Sequence, residues 1–207
     1  MGESEPTKEE LAEKVRRLHS ELEELRRRDR EHTEARRKLL QAAKEDPRTG
    51  VFERVEFMER LKLAVRSSKR YKYPLSLCVC ELDSRDAASA PGTGNGSDGI
   101  VAQLGRIIRE QIRCHDAAGR LEGNAFCIVF PHTTASDATS ATGRIRGCLE
   151  GLQWKLPDGE TRPVTASFGI ARFAPAHETE EDLLEAARGA LQRAIESGGN
   201  CLVVKAA

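Results

Sequence analysis

The chain has 207 residues, with 33 Lys and Arg balanced by 33 Asp and Glu, 39% hydrophobic residues, 4% aromatics and six cysteines. This length admits one domain with an appendage, or two small domains, and supplies enough chain to bury a real core. The zero net charge excludes a nucleic-acid binder that relies on a strong overall positive field, leaving room only for a local basic patch.

No apolar run approaches the roughly 18 residues of a membrane span, and the opening MGESEPTKEE is unlike a signal peptide. A cytoplasmic protein without membrane insertion is expected. Cys78, Cys80, Cys114, Cys127, Cys148 and Cys201 are scattered, mostly within apolar stretches, and form neither CxxC nor any zinc-like spacing. They are expected to be small buried hydrophobes in a reducing compartment, with no metal site.

Residues 1–7 are expected to be disordered. Residues 8–45 are dominated by Glu, Arg, Lys and Leu and contain no Gly or Pro, which predicts one long helix. Leu11, Val15, Leu18, Leu22 and Leu25 are spaced by 4, 3, 4 and 3 residues. Val15 and Leu22 fall at heptad a positions and Leu11, Leu18 and Leu25 at d, a seam that favours a parallel two-stranded coiled coil. Continuing the register puts Asp29 and Arg36 at a and His32 at d before Leu39 and Ala43 restore apolar positions, so the seam is weak in its second half. Two readings stay open there: a polar register or switch element, or a coil that splays into solvated helix. For the coil as a whole, a lone amphipathic helix is the rival to a homodimer.

Asp46-Pro47 ends that helix and Arg48-Thr49-Gly50 reads as a turn, so a domain is expected over 46–207. Helical spacing returns from Glu53 to Tyr71, with Val55, Phe57, Met58, Leu61 and Val65 apolar. Pro74 opens Leu75 to Leu82, a short, nearly continuous apolar run expected of a strand buried on both faces. Residues 84–98 are Ser-, Gly- and Ala-rich and read as a loop, followed by a helix over 100–112. Strands over 117–121 and 125–130 flank Glu122-Gly123-Asn124, a natural hairpin turn. A helix over 133–152, a strand over 164–173 after a Pro157-Asp158-Gly159 turn, a helix over 180–197 and a short strand over 201–205 complete the pattern. Helices alternating with strands and hairpins predict an α+β fold with a layered, mainly antiparallel central sheet flanked by helices.

Several strings in this order resemble the GGDEF domain, the palm-like nucleotidyl-cyclase family whose active members condense two GTP molecules into cyclic di-GMP. Asp46-Pro47-Arg48-Thr49-Gly50 resembles the DxLTG entry, and Pro74-Leu75-Ser76-Leu77 with Glu81-Leu82-Asp83 resembles the strand ending in DxD. Arg120-Leu121-Glu122-Gly123-Asn124-Ala125-Phe126 sits where RxGGDEF belongs, residues 164–171 resemble VTxSxGIA, and Gly198-Gly199-Asn200 resembles the closing GRN.

The resemblance also implies losses. The four positions preceding the signature's Phe are Glu122, Gly123, Asn124 and Ala125. Asn124 offers a neutral carbonyl where two Mg²⁺ ions would need a carboxylate, Ala125 cannot accept a proton, and Glu122 brings bulk and negative charge to where GTP phosphates would lie. Glu81 occupies the family's other metal-carboxylate position, Ser89 falls where an Asn recognises guanine, and Asp98 matches a guanine-contacting Asp. The Lys and Arg that would hold phosphates are Ile195 and Gly199. Diguanylate cyclase activity is therefore not expected, nor any catalytic residue or resident cofactor.

One string survives. Arg113-Cys114-His115-Asp116 is an RxxD with five residues between it and Glu122, the spacing of the family's inhibitory cyclic di-GMP site. An Arg fork suits phosphate and the guanine Hoogsteen edge, and an Asp accepts from guanine N1–H and N2–H₂. Two functions stand side by side: an inactive signalling scaffold that binds another signalling, polarity or motility protein as a coiled-coil dimer, or a cyclic di-GMP receptor using Arg113 and Asp116.

Overall fold

The computed structural model describes residues 17, 19, 21–30, 44–83, 96–155 and 161–205, with the side chains of 96–98, 154, 155 and 162 left aside. The chain divides into two compact units, residues 1–43 and 44–207. In the first, residues 21–30 are helical and exposed throughout. Leu22 and Leu25, two of the five expected seam residues, are 44% and 65% exposed, while Leu11, Val15 and Leu18 lie outside the described residues. Asp29 is helical and exposed; His32, Arg36, Leu39 and Ala43 also lie outside.

The second unit opens on a turn at residues 46–50 and then α1 (Arg54–Tyr71). Phe57, Leu61, Val65 and Ser68 are its buried stripe, whereas Val55 is 79% exposed and does not belong to the core. α1 stops where Lys72 turns left-handed at φ +60° and its N–H returns to the Ser68 carbonyl. Strand β1 (Leu75–Leu82) follows Pro74 and is buried on both faces, as its apolar run requires. Helix α2 (Gly96–Gln111) starts at Gly96 rather than Ile100, so the end of the Gly-rich stretch is helical and not loop. Strands β2 (Ala117–Arg120) and β3 (Ala125–Pro131) form the expected hairpin.

Helix α3 (Ala135–Glu150) is capped by Thr134, whose hydroxyl accepts from Asp137 N–H at 3.2 Å. It is shorter than expected, because the chain turns at Gly151 into a two-stranded ribbon of β4 (Gln153–Lys155) and β5 (Thr161–Pro163) that the sequence reading missed. Strand β6 (Ala166–Arg172) leads to helix α4 (Glu180–Glu196), opened by a capping box of Thr179 and Asp182, and β7 (Leu202–Val204) closes the chain.

The main sheet has the order β2-β3-β1-β6-β7, antiparallel except for the parallel β6–β7 pair. Alternation along β1 divides the core in two. Cys78, Cys80 and Leu82 pack with Leu104 and Ile108 of α2 and Ile145 and Leu149 of α3. Leu75, Leu77 and Val79 face Phe57 and Leu61 of α1 and Leu183, Ala187 and Leu191 of α4. Close approach of α4 depends on Gly169 of β6: a Cβ there would stand 2.1 Å from the Leu191 nitrogen and 2.3 Å from the Ala187 carbonyl oxygen. At the sheet edge, Phe52 pairs with Gly119 of β2, its N–H donating to Ala118 O at 2.9 Å and its carbonyl accepting from Arg120 N–H at 2.9 Å.

Three cysteines behave as expected: Cys78, Cys80 and Cys127 are buried. Burial pushes the Cys78 thiol up to about 12, where it is an inert hydrophobe. Cys114 and Cys148 are exposed and Cys201 is half-buried, because Cys114 sits in a loop and Cys148 on the outer face of α3; those three correct the expectation of burial.

Candidate functional site

The turn between β2 and β3 is the first polar cluster. Ala125 N–H donates to the Glu122 carbonyl and Leu121 N–H to the Ala125 carbonyl, each at 2.9 Å, and Gly123 adopts φ +55°, which glycine takes without steric cost. Arg120 ties this turn to the domain entry. Its Nε and Nη2 donate to the Gly123 carbonyl at 3.1 and 2.9 Å, and its Nη1 donates to Asp46 Oδ2 at 3.0 Å. Asp46 Oδ1 accepts in addition from the Thr49 N–H at 2.8 Å and hydroxyl at 2.7 Å. Burial pushes the Asp46 carboxyl up, but hydrogen bonds from Thr49 and Arg120 outweigh it and hold its pKa below the ordinary value. Glu122 is exposed and pairs with Arg54 at the start of α1, so its negative charge is met by a cation rather than left alone at the turn.

Glu81 lies near the end of β1 directly between Ala125 of β3 and Ser167 of β6, which puts all three on one face of the sheet beside the turn. The structure thus gathers Glu81, Glu122, Gly123, Asn124 and Ala125 at one end of the sheet. Ser89 is outside the described residues, and Asp98 lies in the first turn of α2 with its side chain outside them too.

Asp83, for which the sequence suggested no separate role, holds the closing turn. Its Oδ1 accepts from the Ser167 hydroxyl at 2.6 Å and its Oδ2 from the Asn200 N–H at 2.9 Å. Gly199 beside it has φ +77° and would bring a Cβ to 2.9 Å from Asp83 Oδ1, so a side chain at this position, where the resemblance calls for Arg, would be strained and would crowd Asp83. Ile195 is 40% exposed on α4. A pair of divalent ions requires several free carboxylate oxygens. Asp83 and Glu122 have partners, and of the family's two metal-carboxylate positions only Glu81 carries an acid, so the donor set falls short of a two-ion cage.

The second cluster lies where α2 passes into β2. Asp116 N–H donates to the Arg113 carbonyl at 3.0 Å, and Arg113 N–H donates to Asp116 Oδ2 at 2.8 Å, closing a tight loop that fixes the Asp116 carboxylate against the Arg113 backbone. The Asp116 carboxyl is shifted up, chiefly by burial, against the opposing Arg113 N–H bond and the Arg113 and His115 charges. A cavity of about 90 Å³ is lined by Arg113, Asp116, Thr133, Asp137, Ser140 and Arg144. Arg144 was missed because the RxxD string was read along the chain. The available signal was the helical spacing Asp137, Ser140, Ala141, Arg144, a polar stripe beside the buried stripe Ala138, Thr142, Ile145, Leu149. Two guanidinium groups and two carboxylates thus converge on one cleft. At this volume, well below the ~300–1,000 Å³ of enclosed small-molecule sites, a nucleotide would lie on the rim with only part of it inserted.

The model of the family described as "Diguanylate cyclase, GGDEF domain" matches residues 43–201. Diguanylate cyclase DgcP of Pseudomonas aeruginosa is 27% identical over 164 residues, 79% of this chain and 24% of that protein. The uncharacterized protein YhcK of Bacillus subtilis is 26% identical over 153 residues, 73% of this chain and 43% of YhcK, so the chain spans less than half the length of these curated relatives. Among solved structures, diguanylate cyclase SiaD of P. aeruginosa, in complex with its activator SiaC, superposes with a TM-score of 0.74 at 25% identity, over 95% of this chain and 75% of that one. The coiled coil and GGDEF domain of DgcB from Caulobacter crescentus, in complex with c-di-GMP, gives 0.75 at 23% identity over 94% and 98%, a likeness of fold. With the match covering the entry turn, both clusters and the closing turn, the chain belongs to the GGDEF domain family.

Proposed function

We propose that this chain is a catalytically inactive GGDEF module that acts in signalling by binding another protein. One observation carries the inactive reading: at the signature turn the side chains are Glu122 paired with Arg54, Asn124 and Ala125, so that the turn supplies neither its metal carboxylate nor its proton acceptor and leaves Glu81 as the remaining carboxylate of the site. The use of Asp83 to fasten the closing turn and the left-handed backbone at Gly199, which carries no phosphate-binding cation, support the same conclusion. The complex of SiaD with its activator supports protein binding as a use for this fold. Dimerisation through residues 8–45 belongs to the same proposal, supported by Leu22 and Leu25, which stand exposed on their helix at heptad positions a and d. Light scattering should report a monomer for a variant lacking residues 1–43; a persisting dimer would assign association to the domain.

A second reading, cyclic di-GMP reception, is favoured by the convergence of Arg144 with Arg113 and Asp116. Calorimetry separates the two. Under this second reading, cyclic di-GMP binds at micromolar or tighter affinity and loses about tenfold or more in Arg113→Ala, since a charge-assisted bidentate contact is worth roughly 1.5–3 kcal/mol. No heat with the wild-type chain leaves the interaction module alone. In the same preparation, GTP with Mg²⁺ or Mn²⁺ should yield no cyclic di-GMP; turnover would overturn the inactive reading.

A further inference from the structure

A separate groove lies at the other end of the sheet, where β1 and α3 begin and where α1 and β6 end. β1 alone puts about 25 Å between this groove and the signature turn, at ~3.3 Å per residue. It encloses about 610 Å³, within the range of recognition clefts. Tyr73, Pro74, Phe173 and Pro175 give it an apolar floor, and Lys69, Lys72 and Arg172 stand around it as exposed cations, with no carboxylate among the lining residues.

The floor is held in place by local structure. The Tyr73 ring packs on His132 at 3.7 Å between centroids, and the Ser68 hydroxyl donates to the Tyr73 carbonyl at 2.8 Å. On the opposite wall, Ala174 N–H donates to His177 Nδ1 at 3.0 Å, and His177 N–H returns to the Ala174 carbonyl at 2.9 Å, fixing the turn after Phe173. Burial lowers the His177 pKa, as does the Lys205 charge, so the neutral, accepting ring is the form this turn uses. Lys69 donates to the Glu178 carbonyl and lies 5.9 Å from the Phe173 ring centroid, while Lys72 and Arg172 have no carboxylate partner among the described residues. Two cations at the rim of a preformed aromatic and proline-lined floor thus have no carboxylate countercharge among the described residues.

We propose that this groove docks an acidic peptide segment of a partner protein, with an aromatic or aliphatic side chain on the floor and flanking carboxylates against Lys72 and Arg172. Three features select a peptide. The aromatics are half-buried in a concavity and do not protrude, which suits an inserted side chain and not a plane of lipid headgroups. α1 presents its C-terminal end to the groove, and the partial negative charge of that end disfavours one compact polyanion while tolerating carboxylates spaced along a chain. The cations reach in from two segments, Lys69 and Lys72 from the end of α1 and Arg172 from the end of β6, so their charge stands on both sides of the groove and does not converge on one point.

The inference rests on the reading of the chain as an interaction module and names the chemistry of its partner. The test is fluorescence anisotropy on the full chain with a labelled octapeptide of glutamates around a central phenylalanine, beside the same peptide with lysine for every glutamate. Saturable micromolar binding of the acidic peptide is expected. It should weaken at least tenfold in Lys72→Glu/Arg172→Glu and with rising salt, and stay unchanged in Arg188→Glu on the outer face of α4. Should the charge reversals disturb folding by circular dichroism, Lys72→Gln/Arg172→Gln carries the same expectation. Absence of saturable binding, equal binding of the lysine peptide, or binding indifferent to the double variant overturns the proposal. Displacement of the peptide by tripolyphosphate at equal concentration overturns it in favour of a small polyanion, and groove-dependent capture by phosphatidylglycerol vesicles in favour of a membrane. GTP turnover measured on the same sample distinguishes the failures: turnover sinks the non-catalytic reading, whereas lost peptide binding sinks only the groove.

Discussion

A Gly169→Ala variant is expected to lose a large part of the domain's stability, roughly 3 kcal/mol or more, because overpacking against backbone leaves no flexible side chain to yield. The added methyl would stand 2.1 Å from the Leu191 nitrogen and 2.3 Å from the Ala187 carbonyl oxygen, far inside contact distance, so α4 must lift from β6. Lifting α4 loosens Leu183, Ala187 and Leu191, which share one core with Leu77, Val79 and Phe57 on the α1 side of the sheet. For a domain of this size each kcal/mol is worth ~2–4 °C, so a melting transition lowered by about 6–12 °C is the expected reading. Gly143→Ala on α3 is the internal contrast. A Cβ there meets nothing within 4 Å, and an exposed helical Gly→Ala exchange should stabilise by about 0.5–1 kcal/mol. Equal effects at the two positions would show that the close packing of α4 is not what matters.

The second large effect is expected at Arg120. Its guanidinium is 18% exposed and its Asp46 partner 9%, so this is a largely buried pair and not a surface one. Arg120→Met keeps the stem's bulk but leaves the Asp46 carboxylate without its cation and the Gly123 carbonyl without two donors. Removing one member of a fully buried pair costs ~3–5 kcal/mol; the residual exposure here brings the expectation to about 2–3 kcal/mol. The loss should depend on pH. Because the folded-state pKa of Asp46 is depressed, its contribution is fully present above the ordinary value of 3.8 and disappears as pH falls through and below it. Urea denaturation at pH 7 and near pH 3 should therefore show the gap between wild type and variant narrowing in acid. A gap that stayed constant would mean that Arg120 acts through packing alone.

The parts of this fold that could be read from the sequence were those with local, periodic causes. The apolar run Leu75–Leu82 announced a strand buried on both faces, and Glu122-Gly123-Asn124 announced the hairpin, because burial and turn chemistry are written in adjacent residues. The ribbon of Gln153–Lys155 and Thr161–Pro163 was not legible, since each strand has three residues and Trp154 is the only large apolar side chain, so no alternation exists to detect. Gly96–Gln111 began early because glycine and serine were read as breakers, while the strong apolar face from Ile100 onward carries the helix past them. At the sites, identities were legible and partners were not. Asp46 meets Arg120 across 74 residues, and Asp83 meets Ser167 and Asn200 across 84 and 117, separations at which a linear reading has no signal. Arg144 escaped for the same reason, entering the RxxD cleft from a helix that the string does not contain.

The pairing of Phe52 with β2 has a consequence for solubility. β2 is an outer strand of the main sheet, and its outward N–H and C=O groups would offer a template to any other chain. Phe52 occupies two of those groups, and the 46–50 turn that leads to it is fastened by Asp46 to Thr49 and Arg120. Whatever unfastens that turn also uncovers a strand edge, so damage at the entry of the domain would show itself first as self-association of a still largely folded protein and only later as unfolding.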